Sequence, residues 1–182
     1  MISKEEFDTA RAATDEYLTR AGIVLTPQER EAIEVADFGK GDLATSGLQI
    51  LTYINTSRCC AKELVMTPHQ TCPEHRHPPV NGDPGKEETF RCRWGEVTLY
   101  TEGEQTANPR CQPPAKDAAH YTVLHETVLR PGEQFTIQPN VKHWFAAGKD
   151  GAVVSEFSTT SRDEFDIFTD PGIVRAPRIE GE

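Results

Sequence analysis

The sequence predicts a single all-β domain, a barrel or sandwich of short antiparallel strands, preceded by two N-terminal α-helices. Three observations carry this reading. From residue 48 onward, short strand-like stretches are broken by Pro, Gly and Asn, with no helical segment between them. Ahead of residue 45, two capping signals open segments of helical character. The length, 182 residues, suits one domain with a real core and is too short for two large ones. The expected division is a helical extension over 1–45 and a barrel with its C-terminal tail over 46–182.

Ser3 followed by Glu6 is a capping box, in which the hydroxyl and the carboxylate satisfy each other's backbone N–H groups. Phe7, Ala10, Thr14, Tyr17, Leu18 and Ala21 form a stripe that ends at Gly22. Thr26, Pro27 and Glu29 repeat the device with proline at the first helical position, and this second helix is expected to stop near Gly39 or Gly41. Strands are expected over 48–55, 60–66, 71–77, 89–92, 97–100, 121–129, 134–137, 144–146 and 153–158. Two turn-rich loops, 78–86 and 103–119, interrupt them. The tail from Thr159 carries only scattered apolar residues and is expected to lie across the domain or a partner subunit without adding a strand pair. There is no internal repeat and no low-complexity tract.

The formal net charge of −10 argues against nucleic acid or an anionic membrane as partner, since both require basic patches. No apolar run approaches a membrane span, and Met1 to Glu6 lacks the apolar stretch of a signal peptide. Five cysteines, with Cys59 and Cys60 adjacent and no C-x-x-C pair, make neither a disulfide framework nor a thiolate zinc site. A cytoplasmic enzyme with free thiols is the simplest expectation. The acidic helices and the apolar residues of the tail suggest surfaces that a lone barrel leaves exposed, so a homodimer is expected.

The chemistry centres on His75 and His77. Two histidines one residue apart point the same way on a strand, and Glu88 can fold back beside them. His143 supplies a fourth candidate. Three imidazoles and one carboxylate suit a divalent transition metal with positions left for water or substrate. Taken alone, H-x-H also describes two solvent-facing loop histidines.

Glu88 is followed by six residues and then Gly95, and Gly132 lies eleven residues before His143 with Pro139 between. These two spacings resemble the paired motifs of the cupin superfamily, a jelly-roll β-barrel. Two departures stand out: ten residues separate His77 from Glu88, where the family usually has three or four, and Asn140 replaces a glycine. The glycine serves a turn with positive φ, which Asn tolerates next best. A narrower resemblance runs from Lys62 onward. Lys62 to Met66, Gln70 to His77, Ser155 to Ser158 and Asp163 to Phe168 are similar to the D-lyxose isomerase family of cupins. That resemblance implies a Mn²⁺-type ion on His75, His77, Glu88 and His143. It implies Lys62 and Glu156 as catalytic residues flanking a sugar, with Asp166 also at the substrate. The resemblance implies interconversion of D-lyxose and D-xylulose, with D-mannose and D-fructose as a further candidate pair. The same ligands accept Co²⁺, Fe²⁺ or Zn²⁺.

The residues support such chemistry in part independently. Isomerising an aldose moves one proton between C1 and C2 and another between their oxygens. A carboxylate that is not a metal ligand can carry the first, and a lysine can assist at oxygen. Glu156 shares strand parity with Val154 and Ser158, and Lys62 with Leu64 and Met66, so both can face a barrel interior. Read one register off, each faces outward. Trp94 and Trp144 are commoner as core residues than as sugar platforms. His69 can line the barrel mouth, while His120, His125, Arg91 and Arg93 read as surface, second-layer or interface residues. Three rival classes remain: a phosphosugar isomerase, which needs a basic cluster such as Lys62, Arg76 and Lys86; a metal-dependent dioxygenase; and a non-catalytic sugar sensor.

Overall fold

The structure is a computed structural model and describes residues 1–176 and 179–181. Helix α1 (Lys4–Arg20) opens on the expected capping box, with Ser3 and Glu6 bonded reciprocally. Helix α2 (Pro27–Glu31) opens on the same device at Thr26 and Glu29. It ends far short of Gly39. Beyond Ala32 the pattern becomes alternating, with Ile33 and Val35 buried on either side of exposed Glu34, and strand β1 (Glu34–Ala36) forms instead. No helix among the described residues is long and apolar enough to cross a membrane.

The rest is one curled antiparallel sheet: β2 (Leu48–Asn55), β3 (Cys60–Met66), β4 (Thr71–Arg76), β5 (Glu88–Thr101), β6 (His125–Leu129), β7 (Gln134–Ile137), β8 (His143–Ser158) and β9 (Ile167–Phe168). Four strands expected from sequence are really two. The stretches 89–92 and 97–100 join as β5, and 144–146 and 153–158 join as β8. The glycines that suggested turns bend these strands without ending them. The expected strand at 121 begins at His125, after a 3-10 turn at Ala118–His120. The tail corrects its expectation too, since β9 adds a short pair to β4.

The two long strands define the shape. The second half of β8 (152–158) pairs with β3 and with the start of β5, and its first half (143–147) pairs with β4 and the end of β5. On its other edge β5 takes β7 beside residues 88–91 and β6 beside 97–101. The sheet therefore folds over along a line through the register shifts at Cys92/Trp94 and Gly95/Val97. Between its halves lies the main core, including Ile50, Leu64, Met66, Phe90, Leu99, Phe145 and Val154. Helix α1 covers part of the outer face with Leu18, packed with Leu25, Ile33, Leu51, Val65 and Val153. Fully burying Leu18 contributes about 1.5–3 kcal/mol. A third cluster, Tyr100, Tyr121, Val123 and Trp144, seats the connection ahead of β6 on the opposite outer face.

The fold line explains the glycine that follows Glu88. Gly95 has φ +72°, and a Cβ there would lie 2.1 Å from the carbonyl oxygen of Gly151. Asn140 likewise adopts φ 62°, as expected of the residue standing in for glycine, and donates its backbone N–H to His77 O at 3.1 Å. Gly95→Ala combines a disfavoured φ with a backbone clash, and is expected to cost about 3 kcal/mol. Thermal melts check this, and an unchanged Tm would show that the two strands can separate at the bend.

Candidate metal centre

His75 and His143 are direct cross-strand partners on β4 and β8, with ring centroids 4.3 Å apart. His77 lies just past the end of β4, and Glu88 opens β5. The imidazoles of His75, His77 and His143 are all buried and bring ligand atoms within 4.8 Å of one another. Glu88 Oε1 lies 3.2 Å from His77 Nε2 and 3.0 Å from His143 Nε2. The structure thus brings all four residues together at one spot, despite the long loop between His77 and Glu88.

Each ring is oriented from behind. His75 Nδ1–H donates to Pro73 O at 2.8 Å, His143 Nδ1–H to Val141 O at 3.0 Å, and His77 Nδ1–H to Asp166 Oδ1 at 2.5 Å. Carbonyl oxygens only accept, so the tautomers follow, and Nε2 is the atom that faces inward. His143 Nε2 is buried with no hydrogen-bond partner. It confronts Glu88 Oε1, another acceptor, and two facing lone pairs are reconciled by a cation between them. Burial, followed by the His143 and His77 charges, pushes the His75 pKa well below the ordinary imidazole value. Burial also opposes charge on His77, but Glu88 and the Asp166 bond more than offset it and its pKa rises to about 9. Glu88 resists its own burial through Lys86 and His77, which hold its carboxyl well below the usual range. His77 must give up its extra proton to bind a cation, and an ionised carboxylate beside imidazoles that are neutral once the ion is bound is the donor set a divalent ion takes.

Beside this cluster lies a charged wall. Lys62 and Glu156 are cross-strand partners on β3 and β8, buried at 5% and 3% exposure, so the inward register is the one adopted. Lys62 Nζ donates to Asp163 Oδ2 at 2.7 Å and Ser161 Oγ at 2.9 Å. The residue sequence reasoning underweighted is Lys86. Its Nζ sits 2.7 Å from Glu88 Oε2 and 3.1 Å from Glu156 Oε1, joining the cluster to the wall. Parity with Glu88, two residues later, was the available signal. Asp163 and Arg175, 3.1 Å apart, were missed as partners because they come from the tail. Asp166, expected at the substrate, lines the same cavity while it orients His77. Phe38, Phe90, Phe145 and Phe168 supply the cavity's aromatic lining.

The remaining candidates lie elsewhere. Trp144 is fully buried and stacks on Tyr100 at 4.0 Å, and Trp94 meets the edge of Tyr17. His69, His125 and Arg93 are exposed.

A curled antiparallel sheet with a buried three-histidine cluster able to hold a metal, opening on a lysine–carboxylate wall, defines the class of protein. The comparisons with known proteins narrow it. A family described as D-lyxose isomerase matches residues 26–182. A D-lyxose/D-mannose isomerase of Thermosediminibacter oceani is 61% identical over 180 residues, covering 99% of each chain. A D-lyxose ketol-isomerase of Cohnella laeviribosi is 63% identical over 175 residues, covering 96% of each. The chain belongs to the D-lyxose isomerase family. Among solved structures, Cellulomonas parahominis L-ribose isomerase with L-ribose superposes with a TM-score of 0.81 at 18% identity, covering 98% of each chain, and so shares the fold.

Asp163 offers a pH test of the wall. Burial would raise its pKa, but Lys86, Lys62 and Arg175 outweigh that and hold it far below the usual value. A depressed folded-state pKa stabilises above the unfolded value of about 3.9, and the gain is lost as pH falls toward the folded one. The stability advantage of wild type over Asp163→Asn, measured by urea midpoints, should therefore narrow from about pH 5 downward. A gap unchanged between pH 6 and pH 3 would mean that these cations do not hold the carboxylate.

Proposed function

We propose that the protein is a metal-dependent aldose–ketose isomerase with a cupin-type barrel, interconverting D-lyxose and D-xylulose and, more broadly, D-mannose and D-fructose. The observation that carries this reading is the Lys62–Glu156 pair on the inner wall beside the three-histidine cluster. The names of the two close relatives support the substrate class. His75, His77, Glu88 and His143 would hold the ion, with Mn²⁺ preferred and Co²⁺, Fe²⁺ or Zn²⁺ accepted by the same donors. A bound divalent ion supplies Lewis-acid polarisation of the sugar's neighbouring oxygens.

The protein's own groups do the rest. Glu156 removes the proton from C2 of the open-chain aldose, leaving an enediol, and returns it to C1. The proton on the C2 hydroxyl passes to O1, assisted by the Lys62 ammonium. Lys86 donates to Glu156 Oε1, and Ser158 Oγ–H donates to the same oxygen at 3.1 Å. Both fix the carboxylate while its other oxygen is free to work. Asp166 serves the substrate mainly by orienting His77. A phosphosugar is disfavoured because Lys62 and Lys86 already face carboxylates. A sensor would have no use for a proton carrier, and a dioxygenase would reveal itself by oxygen uptake with Fe²⁺.

A panel of aldoses, scored for ketose with metal-stripped and Mn²⁺-restored protein, tests the activity. Two variants separate the roles. His77→Ala should lose most metal and nearly all turnover. Glu156→Gln should keep metal and sugar binding while kcat falls by roughly 10²–10⁴. Wild-type turnover in Glu156→Gln would move the base elsewhere, and full metal content in His77→Ala would remove that ligand.

The same reading includes a homodimer. Ile54, Ala61 and Phe157 form one cross-strand row on the outer face, and Ile54 and Phe157 are 48% and 50% exposed. Light scattering at micromolar concentration should give twice the 20.3 kDa chain mass, and a monomer mass would exclude it.

A further inference from the structure

We infer that Glu74 is a positioning residue for the metal centre, tying the backbone beside His75 to the side chains that flank His143. The inference rests on reading those histidines as ligands. The β4 register shift between Cys72 and His75 takes Glu74 out of the alternation that Cys72 begins, and its side chain contacts 122–123 and Thr169. The carboxylate is fully buried, and four donors converge on it. Oε2 accepts from the backbone N–H groups of Thr122 (2.5 Å) and Val123 (2.9 Å). Oε1 accepts from Thr122 Oγ1 (2.9 Å) and Thr169 Oγ1 (2.5 Å), while the main-chain oxygen of Glu74 takes the Thr169 N–H at 3.0 Å.

The same two residues hold the neighbours of His143. Val123 O accepts from Trp144 Nε1 at 2.8 Å, and Thr122 Oγ1 accepts from Lys142 Nζ at 2.9 Å. Segment 122–123 is thus a bridge. Both of its residues are fastened to Glu74, the residue before His75, while Thr122 also holds Lys142 and Val123 also holds Trp144, on the two sides of His143. The third tie, Thr169, follows Phe168, whose ring lies 5.3 Å from His75. A buried carboxylate is a costly way to fill space, and apolar residues would pack as well. Its donors are backbone and hydroxyl groups, with the Lys142 ammonium more distant at 3.7 Å, so it acts as a multi-point acceptor that fixes geometry.

The test is the affinity for Mn²⁺ itself, read from the free-ion signal in electron paramagnetic resonance titrations and so independent of turnover. Glu74→Gln keeps the shape but aims an NH₂ group at N–H donors. It should weaken Mn²⁺ binding by about 10-fold or more, the usual effect of losing a residue that supports ligands from behind. Thr169→Val removes one hydroxyl donor and leaves the fold-bearing contacts, and should weaken it severalfold. A merely structural role would lower Tm and leave the Mn²⁺ dissociation constant of the folded protein unchanged. Dissociation constants within twofold of wild type in the variants overturn the inference, and if Glu74→Gln does not fold, Thr169→Val decides. Failure of wild type to bind Mn²⁺ at all would instead overturn the ligand assignment.

Discussion

The antiparallel pairing of β5 with β8 is the constraint on which the rest depends. It runs from Glu88↔Ser158 to Thr101↔His143 and carries the fold line in its middle. One end of the pair presents Glu88 and Glu156, and the other presents His143. Because both strands bend together, these residues meet inside the curl even though the pairing separates them by many positions. The bend brings the two backbones so close that a Cβ at Gly95 would meet the Gly151 carbonyl oxygen, while Gly151, at φ +92°, clears Met66 O on β3 and the Tyr17 ring of α1.

A second constraint is electrostatic. The interior holds Lys62, Lys86, Glu88, Glu156 and Asp163 within one continuous set of ion pairs. Each charge alone would carry a large desolvation cost, and each is tolerable because its neighbours are of opposite sign and hydrogen-bonded. Such an array is poor value as a device for stability. It makes sense where charge has to be presented to a polar ligand in a site that excludes water. Lys86 has a particular place in it, since it touches both the carboxylate beside the histidines and the carboxylate on the wall. Any substrate that displaced it from one would change its hold on the other.

The tail shows how a segment of weak pattern can complete a site. It has few apolar residues and little regular structure, yet Ser161, Asp163, Asp166 and Phe168 all come from it. Beside the packing of Phe168 and Ile173 against the core, several of its anchors are polar. Thr169 is bonded to Glu74, and Asp170 is paired with Lys40 from the turn after β1. Polar anchoring of this kind leaves no periodic trace.

The sequence by itself determined the elements whose signals are local. Strand parity put His75 with His77, and the spacing from Glu88 to Gly95 matched the first of the paired motifs. Capping boxes located both helix starts, and Asn140 could be read as a left-handed turn residue. The paired motifs brought Glu88 and His143 to the same centre, although no local rule spans the loop 78–86. What only the tertiary structure decided is everything set by long-range pairing. Whether 89–92 and 97–100 are two strands or one bent strand depends on β8 running alongside both. Whether 34–36 continues a helix or joins a sheet depends on β2 offering an edge. Lys86, Asp163 and Arg175 became site residues because opposite charges found them across the fold. Periodicity reports how a side chain points along its own element, and it carries no information about which distant charge will stand opposite.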